Sequence, residues 1–207
     1  MPKVTCKICR RLGFSVCGRE KCAFKRKPYP PGIHGRVGSA ARGRRSNISE
    51  YGVQLKEKQK VKFLYGLRER QFKNLILNAV KTKGAETKGR IIELLETRLA
   101  NAVFRSGFAS SRNKARQLVS HGHINVDGRK VTIPSYQLKI GQTLAIRPQS
   151  LGRGVFRDLD LYLKKYQVSD WLNLDKDKKE SRVIGKPDAQ KIDVGANLNA
   201  VIEFYSR

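Results

Sequence analysis

Apolar residues recur with helical spacing in the first part of the chain, change to a period of two near its middle, and return to helical spacing at the end. From Ser49 to Tyr65, Leu55, Phe63 and Leu64 form the apolar side of a predicted helix. Lys56, Lys58, Lys60 and Lys62 fall two apart there, so they divide into stripes Lys56/Lys60 and Lys58/Lys62, one helical turn within each. A second helix, about 68–81, carries Phe72, Leu75, Ile76, Ala79 and Val80 at helical spacing. Ile92, Leu95, Leu99 and Val103 predict one continuous helix that ends before Gly107. Ser110 and Ser111 then cap another, with Ala115, Leu118 and Val119 facing inward.

After His121-Gly122-His123 the pattern becomes Ile124-x-Val126-Asp127-Gly128-Arg129-x-Val131-x-Ile133. Alternation on both sides of Asp-Gly predicts two strands joined by a type I′ turn. Gly141 opens a further short strand, Leu144 to Ile146, and Leu159, Leu163 and Tyr166 suggest a helix. Trp171 and Leu172 are expected to anchor a core, and the mixed charges of 176–182 read as a solvated loop. Leu198, Val201, Ile202 and Tyr205 stand at i, i+3, i+4 and i+7, which predicts a terminal helix packed back on the early helices. Packing is the expected role of Tyr205. The fold class is α+β.

Charge sets the function class. The 207 residues are 39% hydrophobic, enough for a packed core, yet 44 Lys and Arg oppose 17 Asp and Glu for a net charge of +27. Such a balance resists compaction unless a polyanion neutralises it, and nucleic acid also releases condensed counterions on binding. Residues 1–90 hold 24 basic and 5 acidic side chains, and no acid lies between Glu20 and Glu50. No apolar run approaches the roughly 18 residues that span a bilayer, and no signal-peptide core is present, so a cytosolic protein with no membrane partner is expected.

All four cysteines fall in the first 22 residues, as Cys6-x2-Cys9-x7-Cys17-x4-Cys22. In a reducing compartment such spacing favours a metal over disulfides. Four thiolates would close a tetrahedral shell, the structural type of zinc site, with a four-cysteine iron–sulfur cluster as the less favoured alternative. Gly13 and Gly18 supply tight turns, while Lys7, Arg10, Arg11, Arg19 and Lys21 offset the thiolate charge. So short a segment is expected to need its metal to fold. The basic arm that follows, Lys25-Arg26-Lys27-Pro28-Tyr29-Pro30-Pro31-Gly32-Ile33-His34-Gly35, is extended by its prolines. Tyr29 and His34 could stack on exposed bases, and Arg36, Arg42, Arg44 and Arg45 could reach phosphates. Farther on, the helix start at Ser110 and Ser111, with Arg112, Lys114 and Arg116, forms a natural anion site.

These residues carry a resemblance. Arg98-Leu99, Ser110-x-Arg112-x-x-Ala115-Arg116-Gln117-Leu118 and Gly122-His123-Ile124-x-Val126-x-Gly128 resemble the small RNA-binding fold named after ribosomal protein S four. Pro28-Tyr29-Pro30-Pro31-Gly32-x-His34-Gly35, Glu57-Lys58-Gln59-Lys60, Arg70-Gln71-Phe72, Pro134-Ser135-Tyr136 and Val201-Ile202-Glu203-Phe204-Tyr205-Ser206-Arg207 resemble the bacterial small-subunit S-four family in the same order. The cysteines resemble those of its zinc-bearing members. The likeness covers nearly the whole chain and is weak only over about 150–190.

The resemblance implies a helical domain, 47–90 completed by about 190–207, interrupted by an RNA-binding module of helices and antiparallel strands over 91–189. The four-cysteine knuckle and arm occupy 1–46. It implies a cytoplasmic protein of the small ribosomal subunit that binds a multi-helix junction in the 5′ domain of the small-subunit rRNA and nucleates assembly there. It also implies contact with protein S five and a place near the channel through which mRNA enters. The candidate ligands of a single zinc ion are Cys6, Cys9, Cys17 and Cys22. The candidate RNA contacts are Lys25, Arg26, Lys27, Tyr29, His34, Arg36, Arg42, Arg44, Arg45, Lys56, Lys58, Lys60, Lys62, Arg70, Lys73, Ser110, Ser111, Arg112, Lys114, Arg116, Gln117, His121, His123 and Arg129.

Three features depart from the family pattern. Ala100 and Gln142 stand where acids are usual, which removes any ion pair those acids make, and the arm between Gly35 and Tyr51 is longer. An enzyme is not expected, because none of the three histidines lies beside a cysteine or carboxylate constellation and no phosphate-cradling loop is present. No small-molecule substrate is implied. A zinc-dependent DNA regulator would share the charge and the metal, but no recognition helix or dimer interface is evident.

Overall fold

Ser49 starts the longest helix: its Oγ accepts a hydrogen bond from the Gly52 N–H at 3.3 Å, and Glu50 follows in the first turn, where the helix dipole favours an acid. The protein is described here from a computed structural model, over residues 4–33, 35, 48–81, 86–192 and 194–206. Two units divide the chain, Met1–Lys88 with Asp193–Arg207, and Gly89–Ile192. No helix among the described residues is long and apolar enough to cross a membrane.

The first unit holds α1 (Cys6–Leu12), α2 (Ala23–Arg26), α3 (Glu50–Leu64), α4 (Glu69–Lys81) and the last helix, α10 (Leu198–Ser206). Gly66, at φ 61°, turns α3 into α4 and lets the Leu67 N–H bond back to Lys62 O at 3.0 Å. Phe72, Leu75, Ile76 and Ala79 of α4 are buried; Val80, expected on the same face, is 43% exposed. The terminal helix does return to α3 and α4. Tyr51 lies 5.5 Å from Phe204, Phe72 meets Tyr205 edge-on at 6.0 Å, and Asn197 N–H donates to Glu57 Oε2 at 2.8 Å.

Glu69 ties these helices together. Its carboxylate takes Lys58 at 2.6 Å, Lys62 at 2.8 Å and the Tyr205 hydroxyl at 2.7 Å. Burial alone would raise its pKa, but the three donors outweigh burial and hold it at about 2.

The second unit continues α5 (Thr87–Glu96) into α6 (Leu99–Arg105), α7 (Arg112–Ser120), β1 (Ile124–Val126), β2 (Arg129–Lys130), β3 (Thr143–Ile146) and the single turn α8 (Pro148–Leu151). A 3-10 turn (Gly154–Phe156), α9 (Leu159–Lys165), β4 (Leu172–Asp175) and β5 (Glu180–Val183) complete it. One antiparallel sheet runs in the order β2-β1-β3-β5-β4. Asp127 (φ 48°) and Gly128 (φ 77°) make the left-handed pair that a type I′ turn requires. The second arm of that hairpin stops at Lys130, and Ile133 is exposed. Val103, Phe108, Leu118, Ile124, Leu144 and Trp171 meet in the core between helices and sheet. Burying each such side chain contributes about 1.5–3 kcal/mol.

Two further expectations fail here. The single helix expected over 92–103 breaks at Thr97-Arg98, where Arg98 is extended (φ −63°, ψ 131°). Backbone bonds from a passing segment replace the helical ones: Leu99 N–H donates to Tyr136 O at 2.8 Å and Leu138 N–H to Thr97 O at 2.9 Å. The apolar spacing runs straight through the break, so periodicity could not report it. The segment 176–182 is also more than a solvated loop, because Glu180–Val183 forms β5 and pairs with β4 and β3. Lys176, Asp177, Lys178 and Lys179 sit in the turn, where the Asp175 carboxylate accepts the N–H groups of Asp177 and Lys178 at 3.1 Å each.

The depressed pKa of Glu69 makes a prediction. A carboxylate held lower in the folded state than its ordinary value of 4.5 stabilises the fold above about pH 4.5, and that contribution disappears as pH falls through about 2. Glu69→Gln should therefore lower stability at neutral pH and flatten the acid limb of a urea-unfolding series. Because the Glu69 side chain is 47% exposed, water screens the cluster and the loss is modest. A variant that matched the parent at pH 7 would remove this role.

Candidate functional site

The first unit gathers thiols. Sulfurs of Cys6, Cys17 and Cys22 lie within 4.8 Å of one another. Thiolates about 2.3 Å from a tetrahedral zinc ion stand about 3.8 Å apart, so this spacing suits one ion. Cys9 was expected as an equal fourth ligand. It is fully buried beside this set, hydrogen-bonded to Cys17, and burial and that bond push its thiol up to about 12. Burial also raises Cys22, but hydrogen bonds from the Ser15 side chain, the Phe24 backbone and the Cys17 and Cys9 thiols bring it to about 7. Gly13 (φ 67°) ends α1 and Gly18 (φ 66°) follows Cys17, so both turns use a conformation that glycine adopts without strain. Leu12, Val16, Phe14 and Phe24 pack around the sulfurs with Phe63 of α3.

The basic arm starts from this cluster. Arg10 donates through Nε to Tyr29 O at 2.9 Å and through Nη2 to Pro30 O at 3.1 Å, and its guanidinium lies 4.6 Å over the Tyr29 ring. Arg10, expected to offset thiolate charge, thus holds the arm and covers one face of the expected base-stacker. Lys25, Arg26 and Lys27 are exposed. His34, Arg36, Arg42, Arg44 and Arg45 lie outside the described residues.

The lysine stripes of α3 differ from their expected role. Lys58 is buried on Glu69 and lies 4.5 Å from the centre of the Phe204 ring; Lys60 pairs with Glu57 at 2.6 Å and Lys62 with Glu69. Three of the four lysines therefore hold acids of their own unit. Lys56 has no acid within ion-pair distance among the described residues, and Arg70 and Lys73 are exposed on α4.

In the second unit the helix start of α7 is built as expected on Ser111, whose Oγ accepts the Lys114 N–H at 3.3 Å; Ser110 is exposed and does not cap. Lys114 and Arg116 are half-buried, and Gln117 is exposed. Arg112 is held through Nε by Asn101 Oδ1 at 2.8 Å and lies 4.6 Å over the Phe104 ring. Arg129 projects at the exposed hairpin turn. The two histidines part company. His121 is exposed, while His123 is buried, with Nδ1 at 3.0 Å from Ser150 Oγ and its ring edge-on to Phe156 at 6.0 Å. Burial lowers the pKa of His123, and the charges of Arg153, His121 and Arg147 lower it further.

Three cations were not among the expected contacts: Arg98, Arg147 and Arg153. Arg98, at the helix break, has its pKa lowered by burial and then by the like charge of Arg116. No carboxylate within ion-pair distance compensates Arg98 or Arg116 among the described residues. A half-buried cation beside another cation calls for an anion from outside. Arg147 and Arg153 flank His123 in the same way. No spacing rule could find them, because each depends on a break or turn that the sequence does not announce.

Gln142, where the family resemblance led an acid to be expected, is held by hydrogen bonds on both sides of its amide. Its Nε2 donates to Asp127 Oδ2 at 2.8 Å, and its Oε1 accepts the Lys139 N–H at 3.0 Å. Asp127 Oδ1 in turn accepts the Thr143 N–H at 2.8 Å. A carboxylate at 142 would face that of Asp127, so the amide is the group that fits this hairpin. At Ala100, the backbone N–H donates to Pro134 O at 3.2 Å.

A cleft of about 220 Å³ beside α7 and α9 is lined by Ser110, Lys114, Asp158 and Tyr162 among glycine and apolar groups. Cations at the α7 start and the hairpin turn give this small helix-and-sheet module a basic surface of the kind that binds polyanions. The family described as Ribosomal protein S4/S9 N-terminal domain matches residues 2–96, and the S4 domain matches residues 97–144. The two matches meet at the break between α5 and α6. Small ribosomal subunit protein uS4 of Chloroflexus aurantiacus is 44% identical over 203 residues, covering 97% of this chain and 96% of that one. The uS4 protein of Thermus thermophilus is 43% identical over 208 residues, covering 98% and 96%. The chain belongs to the uS4 family of small-ribosomal-subunit proteins, and it is not an enzyme.

Proposed function

We propose that the protein is a structural component of the small subunit of the cytoplasmic ribosome and a primary binder of its rRNA. The observation that carries this reading is the match to uS4 proteins over 97% of the chain, with the S4-domain match falling on the helix pair and hairpin of the second unit. Arg98, Arg112, Lys114, Arg116, Gln117, His121 and Arg129, with the α7 start at Ser110 and Ser111, are the module's contacts. Lys25, Arg26, Lys27 and Tyr29 supply those of the arm, followed by His34, Arg36, Arg42, Arg44 and Arg45. Lys56, Arg70 and Lys73 are the contacts of the helical unit, while Lys58, Lys60 and Lys62 serve the fold.

The finer assignment rests on the family resemblance. The target is a helix junction in the 5′ domain of the rRNA, where binding nucleates assembly. Protein S five is the neighbour, and the position near the mRNA channel supports translational accuracy. Phosphate contacts supply most of the affinity and position the RNA, and structured RNA is distinguished by shape.

Zinc is the metal the thiols would take, held by Cys6, Cys17 and Cys22 with Cys9 as the adjacent fourth sulfur. A closed shell of thiolates supplies folding energy rather than reactivity. The neutralised sulfurs then fix α1, which carries Arg10 to Tyr29 and Pro30.

Two outcomes are expected. At about 0.2–0.3 M salt, which strips most non-specific phosphate binding, a labelled 5′-domain transcript should stay bound against excess duplex DNA and an unrelated folded RNA. Equal displacement by every polyanion would contradict the rRNA reading, and preferential displacement by DNA would favour a regulator. Elemental analysis should find one zinc per chain, and its chelation should open residues 4–33 to protease while sparing 89–192. Unchanged cleavage after the metal is stripped would overturn the structural role of the ion.

A further inference from the structure

Glu96 ends α5 fully enclosed, at 0% exposure. Its Oε1 accepts Arg105 Nη2 at 2.9 Å, and its Oε2 accepts Arg105 Nε at 2.9 Å and Asn101 Nδ2 at 2.8 Å. Arg105 gives the buried carboxylate its paired charge, in the two-pronged geometry that makes such pairs rigid. Neutralising the acid therefore does not require Asn101. The Asn101 amide nevertheless donates twice into the same corner, to Glu96 Oε2 and to Glu96 O at 3.1 Å. That fixes its carbonyl oxygen in the one direction where it accepts Arg112 Nε at 2.8 Å. Phe104, one turn along α6 from Asn101, lies under the Arg112 guanidinium at 4.6 Å, and its own carbonyl is held by the Tyr166 hydroxyl at 3.2 Å.

We infer that Glu96 and Asn101 are positioning residues that orient Arg112 for RNA. The path runs from a buried carboxylate on α5, through an amide on α6, to an arginine at the start of α7. An arginine loses rotamer freedom when it grips a phosphate, and one already held by its Nε and a ring face has less to lose. The inference rests on the proposed reading of Arg112 as an RNA contact.

The test is a double-mutant cycle on the full chain, read as the affinity for the 5′-domain transcript at fixed salt. Asn101→Ala should weaken binding about three- to tenfold, the range expected when one long side chain must be ordered on binding. In an Arg112→Ala background the same substitution should change affinity less than about twofold, because the group it positions is gone. An additive cycle, in which Asn101→Ala costs the same in both backgrounds, overturns the relay. If Arg112→Ala alone leaves affinity unchanged, the RNA role of Arg112 fails, and the inference fails with it. Phe104→Leu keeps an apolar side chain but removes the ring, and it should repeat the non-additive pattern; this cycle decides the matter if Asn101→Ala does not fold. Thermal unfolding of each variant separates lost structure from lost positioning.

Discussion

Scarcity of negative charge governs this protein. With 17 acids for 44 bases, several acids of the fold satisfy more than one donor. Glu69 holds Lys58, Lys62 and Tyr205; Glu57 holds Lys60 and the start of α10; Glu96 holds Arg105 and Asn101. Glu93 pairs with Arg90 at 2.7 Å and Lys186 at 3.4 Å. A fold so far from neutrality offsets self-repulsion locally, within each unit, and leaves the remaining cations to an outside polyanion.

That division separates two kinds of cation which the sequence presents alike. Lys58 and Lys62 look like a phosphate stripe on α3, yet they are structural partners of one carboxylate. Arg98 sits in what reads as a helix interior, yet the break there leaves it half-buried against Arg116, with no acid in ion-pair reach among the described residues. The module adds rigidity to this pattern. The Asp127 carboxylate, Gln142 amide and Thr143 N–H fasten the hairpin, and the Glu96–Asn101 pair fastens Arg112. Cations held before the ligand arrives lose less freedom on binding.

Much of the fold was legible because its signals are local. The Ser111 cap, the Asp127-Gly128 turn and the spacing of Leu198, Val201 and Tyr205 each declare an element within a few residues. What escaped depends on partners far along the chain. The break at Arg98 is made by Tyr136 and Leu138, β5 by its pairing with β3, and the burial of Lys58 by Glu69 and Phe204. The thiol cluster was legible in composition and less so in geometry. Cysteine spacing announces a group of sulfurs, but burial of Cys9 beneath Leu12 and Val16 is a matter of packing. The Gln142 substitution shows the same limit, since its fit follows from a carboxylate fifteen residues away.

The central claim is that cations held by acids serve the fold and cations without acids serve RNA. Lysine-reactivity footprinting of the full chain, with and without the 5′-domain transcript, tests it most directly. The account predicts that Lys58 and Lys60 react slowly in both states, while Lys25, Lys27, Lys56, Lys73 and Lys114 react freely alone and become protected by RNA. Free reactivity of Lys58 without RNA, or protection spread evenly over paired and unpaired lysines, would contradict it.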